Sequence, residues 1–188
     1  MPFWPDARDR ERLLQTTACS NMVNWYKQTG IAPLFTSGAW SSGSMAIYTP
    51  ILVPKAIKIA YAAMINGAVV AGNYDIGIYY PDAEGKPGVK LWSSGSVAQA
   101  VVNIMRTRSL TGSGIWVPEG LMYMALAMDG TTGTCVRLCA LTTDGSGPIE
   151  GGIFTEAAAF PLPATATPSA TPVVANVPIL AAWAGGVV

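Results

Sequence analysis

Tyr74-Asp75-Ile76-Gly77-Ile78-Tyr79-Tyr80 alternates strictly, with Tyr74, Ile76, Ile78 and Tyr80 on one side and Asp75, Gly77 and Tyr79 on the other. Period two is the signature of a strand whose two faces meet different surroundings. The residues that follow, Pro81, Asp82, Gly85, Lys86, Pro87 and Gly88, are turn formers and predict a hairpin-like connection into a strand starting at Val89, Leu91 and Trp92. Upstream, Ile57, Ile59, Tyr61, Ala63 and Ile65 repeat the alternation with Lys58 on the opposite face, which predicts one half-buried strand over 57–65. Downstream, Ser93 to Ser96 reads as a turn and 97–105 as extended, with Arg106 and Arg108 on one strand face. Leu121 to Met128 is apolar on both faces and predicts a central strand covered on both sides, ended by Asp129, Gly130 and Gly133. Val136, Leu138 and Ala140 then alternate with Cys135, Arg137 and Cys139.

Seven or eight short strands between 45 and 141 with no helical period predict an all-β fold, an antiparallel β-sandwich of jelly-roll type. Flanking it, residues 1–44 read as an N-terminal arm. Asp6 is a candidate cap, and Leu13, Leu14, Met22, Val23, Trp25 and Tyr26 give apolar surface to a helix over 6–28. Residues 142–188 read as an extended C-terminal arm rich in Gly, Pro, Ala and Thr, without a charge after Glu156. Proline removes ladder donors and small side chains bury little area, so this arm is not expected to fold on itself. Ile179, Leu180, Trp183, Val187 and Val188 are costly to leave in water, so the arm is expected to lie on its own body or on a neighbouring subunit. The accompanying expectation is that removing 157–188 abolishes attachment and leaves the sandwich folded.

The chain has 188 residues, 51% hydrophobic and 12% charged, with 11 basic and 11 acidic side chains and no histidine. Charged residues make up about half the usual share of roughly 25%, so much of the surface is neutral or covered. Zero net charge offers no basic footprint for nucleic acid. Without histidine, the Ser/His/Asp and Cys/His triads and the His-based zinc sites are excluded. No G-x-S-x-G elbow is present. Gly85-Lys86 is no Walker loop, since Tyr80 stands at the upstream glycine position and Pro87 where Ser or Thr is required. Beyond the arm the carboxylates are Asp75, Asp82, Glu84, Glu119, Asp129, Asp144, Glu150 and Glu156, and neither Asp129-Gly130 nor Asp144-Gly145 carries the alternating ligands of a calcium loop. No enzyme activity, cofactor or metal is expected.

Three cysteines, Cys19, Cys135 and Cys139, suit a reducing compartment. On one strand Cys135 and Cys139 would lie about 13 Å apart, too far for a bridge. The mixed charges from Asp6 to Arg12 are no signal-peptide pattern, and prolines interrupt the uncharged tail, so neither export nor membrane insertion is expected. The sites expected to meet a partner are aromatic. Trp40, Trp92, Trp116 and Trp183 are candidates for burial in the core or an interface, or for stacking on a glycan, with Tyr79 and Tyr80 beside them.

Val53-Pro54-Lys55, Asn73 through Tyr79 with the turn from Asp82 to Gly88, and Val117 through Ala127 together resemble a β-sandwich module of tailed-bacteriophage virion proteins. The likeness covers residues 44–141 and rests on strand and turn signatures. It implies a structural protein of the virion, namely a tail fibre, fibre adaptor or head decoration protein, assembled in the host cytoplasm. The implied partners are copies of itself, as a homotrimer, and other capsid or tail proteins. The competing expectation is a receptor- or carbohydrate-binding module of a tail fibre, for which Trp40, Trp92 and Trp116 would be exposed and clustered.

Overall fold

The structure, a computed structural model, describes residues 13–15, 35–110, 112, 114–138, 153–169 and 177–184. Among these residues every regular element is a strand and every pairing is antiparallel. In chain order the strands are β1 (Leu13–Gln15), β2 (Phe35–Ala39), β3 (Met45–Val53), β4 (Ile57–Ile59), β5 (Tyr61–Ile65), β6 (Asn73–Pro81) and β7 (Pro87–Ser93). They continue as β8 (Val97–Ala98), β9 (Met105–Ser109), β10 (Ile115–Val117), β11 (Gly120–Met128), β12 (Thr134–Leu138), β13 (Phe154–Glu156) and β14 (Leu180–Trp183). The larger sheet runs β13-β3-β11-β6-β7, with β8 also on β6, and the second runs β1-β14-β5-β9. Two short ribbons, β10-β4 and β12-β2, complete the set.

As its sequence predicts, β11 is central, bonded to β3 on one side and β6 on the other. Met122, Met124, Leu126 and Met128 enter a core shared with Ile47 and Ile51 of β3, Ile76 and Ile78 of β6, and Met64, Leu180 and Ala182 of the second sheet. Tyr123, Ala125 and Ala127 point to the other face, with Ala46, Tyr48 and Tyr79. The hairpin after β6 also follows its sequence. Asp82 accepts from the backbone N–H groups of Glu84 (3.0 Å) and Lys86 (2.7 Å), the side-chain capping that makes aspartate a turn former.

The stretch 57–65 departs from expectation. It is two strands, and the buried set changes phase between them: Ile57 and Ile59 enter the core, then Ala62 and Met64. Ala60 is the slip. Its N–H donates to Trp183 O (2.9 Å) and its carbonyl accepts from Leu110 N (2.8 Å), so the chain leaves the β10 ribbon and joins the second sheet there. One residue of slip moves every later side chain to the opposite face, and Tyr61, Ala63 and Ile65 leave the core-facing row. The stretch 97–105 is also not continuous. Only Val97–Ala98 and, from Met105, β9 are strand, and a turn occupies the residues between. Leu13–Gln15, inside the span expected to be helical, is a strand paired with β14. The rest of that expected helix, like Cys19 and Cys139, lies outside the described residues.

The described parts of the C-terminal arm lie on the chain's own body. β13 extends the larger sheet from Tyr48, Ile47 and Ala46, and β14 fills the second sheet between β1 and β5. Between them, residues 157–169 cross the outer face of the larger sheet and bury Ala159, Leu162 and Ala166. Their floor is small: Ala46 faces Ala127, and Ala125 faces Gly77, where an added Cβ would come within 2.7 Å of Leu162 Cδ1. A proline-rich segment lacks ladder donors. Its carbonyls are met instead by side chains, Pro163 O by the Tyr79 hydroxyl (2.7 Å) and Leu162 O by Lys90 Nζ (2.7 Å), while Ala164 O accepts from Lys90 N (2.9 Å).

Candidate interaction surface

Among the described residues a run of exposed apolar side chains sits on the turn before β9. Val101, Val102, Ile104 and Met105 are exposed in sequence, Val101 at 57% and Met105 at 52%, and Val69, two residues after the Gly67 that accepts from Asn103 N, is exposed as well. Soluble chains expose single apolar residues freely, but a contiguous group marks a contact surface. The turn that carries them is held from inside. Asn66, fully buried, donates from Nδ2 to Ala100 O (2.7 Å) and Val101 O (2.8 Å), and its N–H donates to Ile104 O (2.9 Å). Gln99 donates to Asn66 Oδ1 (3.1 Å) and Thr134 O (2.7 Å), and it accepts from Ala71 N (3.0 Å).

Gly67 N–H donates to Thr134 O and accepts no substitute, since a Cβ there would lie 2.2 Å from Ser37 Oγ and 2.4 Å from Thr134 Oγ1. Within this frame Val101 adopts φ +61°. A β-branched residue in the left-handed region is a backbone outlier, costing of order 1–3 kcal/mol, and persists only where its surroundings over-determine it. The polar network therefore fixes an apolar tip in a strained shape. Nothing in period or composition distinguished this turn from a strand. The available signal was Gln99-Ala100 leading into an apolar run that is interrupted by Asn103.

Further exposed apolar side chains lie on the β3–β11 ladder and on the β10–β4 ribbon. Leu52 (73% exposed) stands opposite Leu121 in the β3–β11 ladder, and Trp116 (65% exposed) stands opposite Lys58 in the β10–β4 ribbon. The four tryptophans therefore have separate places. Trp40 is buried in the shared core with its indole N–H on Met45 O (2.9 Å), Trp92 is buried in the same core, and Trp183 is half-buried and stacked on Tyr61 at 5.6 Å. Trp116 alone among them presents most of its ring to solvent. Tyr79 is fully buried under the C-terminal segment and Tyr80 packs against the core.

The carboxylates that matter lie beneath that segment. Glu156 accepts from the Tyr48 hydroxyl (2.6 Å), Thr167 N (3.1 Å) and Thr167 Oγ1 (2.9 Å), which closes residues 156–167 into a loop on the sheet. Asp75, fully buried, accepts from Leu162 N (3.1 Å) and Ser94 Oγ (3.1 Å). Burial pushes the Tyr48 and Tyr79 hydroxyls far above the usual phenol range, so both remain donors at any working pH.

Burial also raises Asp75 above the usual carboxylate range, against the opposing pull of the Leu162 and Ser94 hydrogen bonds and the Lys90 charge. The folded chain thus holds the Asp75 proton more tightly than the unfolded chain does. Its contribution to stability is fully present below the ordinary carboxylate pKa and is lost as pH rises through the raised one. The slope of stability against pH over that acidic window should flatten in Asp75→Asn, measured by urea unfolding across the window. An unchanged slope would show that Asp75 titrates normally.

Among the described residues no group of three or more acidic or cysteine side chains is placed to hold a metal, and no helix is long and apolar enough to cross a membrane. No protein-family model matches the chain, and no curated protein matches it.

Proposed function

We propose that the protein is a structural subunit that stabilises an assembly by burying apolar surface, and that the assembly is a tailed-phage virion. The observation that carries the first part is the tip of Val69, Val101, Val102, Ile104 and Met105, which is exposed yet held in a strained turn by the Asn66–Gln99 network. A binding surface gains from being fixed before its partner arrives, because less ordering is left for the encounter. The virion setting is supported by the likeness of residues 44–141 to phage structural modules. In this reading the two larger sheets are the layers of a jelly-roll-like β-sandwich, and copies of the chain form a closed symmetric oligomer, a homotrimer, attached to capsid or tail proteins. A glycan platform of several tryptophans draws support from Trp116 only, since Trp40 and Trp92 fill the core.

The test is the double variant Val102→Asp with Ile104→Asp. Both side chains are exposed, so thermal stability should change little, within about 0.5 kcal/mol. Assembly, followed by sedimentation velocity of the full chain and by mass spectrometry of purified phage particles, should be lost. A variant that assembles as the wild type does would overturn the reading.

A further inference from the structure

The second sheet ends on β9, and among the described residues no strand pairs with its outer side. The phase of its inner pairing is set at both ends, by Leu110 N on Ala60 O (2.8 Å) and Asn66 N on Ile104 O (2.9 Å). Backbone groups in an antiparallel ladder point alternately toward and away from the partner. Those of Arg106 and Arg108 therefore face β5, and those of Met105, Thr107 and Ser109 face outward, unpaired by any described strand. Such an edge is a template for one more strand.

The side chains say what that strand must carry. Arg106 and Arg108 stand opposite Met64 and Ala62, both core residues, so the two guanidinium groups lie on the inward face of the sheet at its open margin. Arg108 Nε donates to the Tyr74 hydroxyl (2.8 Å), and its guanidinium lies 5.5 Å from the centroid of that ring. Arg106 Nε is buried without a hydrogen-bond partner, and no described carboxylate pairs with either arginine. A guanidinium presents a planar fork of donors that matches a carboxylate, and an unsatisfied buried donor is costly. Two cations two residues apart on the inward face call for two carboxylates two residues apart on the added strand.

The chain holds that pattern at Asp9 and Glu11, immediately before β1. Within one molecule it is out of reach. β1 is the opposite margin of the same sheet, and a strand added beyond β9 lies four strand spacings away, about 19 Å, whereas Glu11 is two residues from Leu13 and extends at most about 7 Å. We infer that residues 9–12 of a second copy add to the open edge of β9, with Asp9 and Glu11 pairing with Arg106 and Arg108. This names the partner within the reading of the chain as an assembling subunit, and rests on it. The contact is head-to-tail, from one margin of the sheet to the other, so it closes into a ring when the rotation between copies permits.

Charge reversal with rescue tests the inference on the full chain, using light scattering coupled to size exclusion. The Asp9→Lys/Glu11→Lys variant, altered outside every described strand, should fall from the oligomer mass to that of one chain, 19.6 kDa. Arg106→Glu/Arg108→Glu should do the same, and the four substitutions together should restore the oligomer. Should the arginine variant fail to fold, its equimolar replacement by Arg106→Gln/Arg108→Gln gives the same reading. An Asp9→Lys/Glu11→Lys chain that keeps the wild-type mass would overturn the edge contact. If that chain keeps its mass while Val102→Asp/Ile104→Asp loses it, the edge contact fails and the assembly reading survives. A wild-type chain that is monomeric and absent from particles removes both.

Discussion

A chain lacking residues 157–188 is expected to be unfolded at 25 °C rather than a folded body without its arm. The segment supplies Leu162, Val177 and Leu180 to the two cores, and each is almost fully buried. At roughly 1.5–3 kcal/mol per buried aliphatic side chain, these three alone contribute about 5–9 kcal/mol. That is comparable with the whole stability of an ordinary domain, about 5–15 kcal/mol. The loss continues beyond area. β5 would be left without β14, and β1 without a partner among the described strands. Tyr79 would lose Pro163 O, Glu156 would lose Thr167, and Asp75 would lose Leu162 N while its burial partner departs. Circular dichroism with a thermal scan decides the matter, since a cooperative transition near that of the full chain would show that the sheets stand alone.

The second large effect is expected at Asn66. Asn66→Ala leaves the part-buried carbonyls of Ala100 and Val101 without their side-chain donor and the buried Gln99 amide without one acceptor. Loss of a buried partner costs about 1–3 kcal/mol per group left unsatisfied, so a fall of about 2–4 kcal/mol in unfolding free energy is expected. Asn66→Asp should be worse, because a carboxylate would face two carbonyl oxygens at 2.7 and 2.8 Å. Hydrogen exchange would separate this from a general loss of stability. Protection at Asn103, whose N–H donates to Gly67 O, should fall by more than protection in β11. Equal losses in both would mean that the network serves the whole fold and not the tip.

The central elements were legible because both signals agreed on each. Tyr74 to Tyr80 alternates and lies between two unlike surfaces, and Leu121 to Met128 is apolar throughout and is covered on both faces. The slip at Ala60 was not legible. Alternation continues through it on paper, and only the competing partners, β10 on one side and β14 with β9 on the other, force the change of phase. The turn over 99–104 was hidden for a similar reason, since its shape comes from Asn66, more than thirty residues away. Asp75 and Glu156 stood in the sequence only as two of the carboxylates beyond the arm, whereas each anchors a segment too poor in donors to hold itself. Glu156 carried a clue in being the last charge before an uncharged tail. At the candidate surface, Trp116 was not separable from Trp40, Trp92 and Trp183 by sequence, and the aliphatic tip was hidden because exposure there is decided by a turn that periodicity does not reveal.

The pairing of Leu13 with Trp183 has a consequence in time. The first and last described strands are neighbours in one sheet, so that sheet cannot close until residue 183 has been synthesised and has left the ribosome. Contacts this distant in sequence form late and slowly, after the loop between them has been closed. During synthesis the strands already made must wait with their margins open, in the form most prone to pair with the wrong chain. The sheet that carries the β9 margin is thus completed only once residue 183 has emerged, and a translation product interrupted before it would be excluded from any assembly that reads that margin.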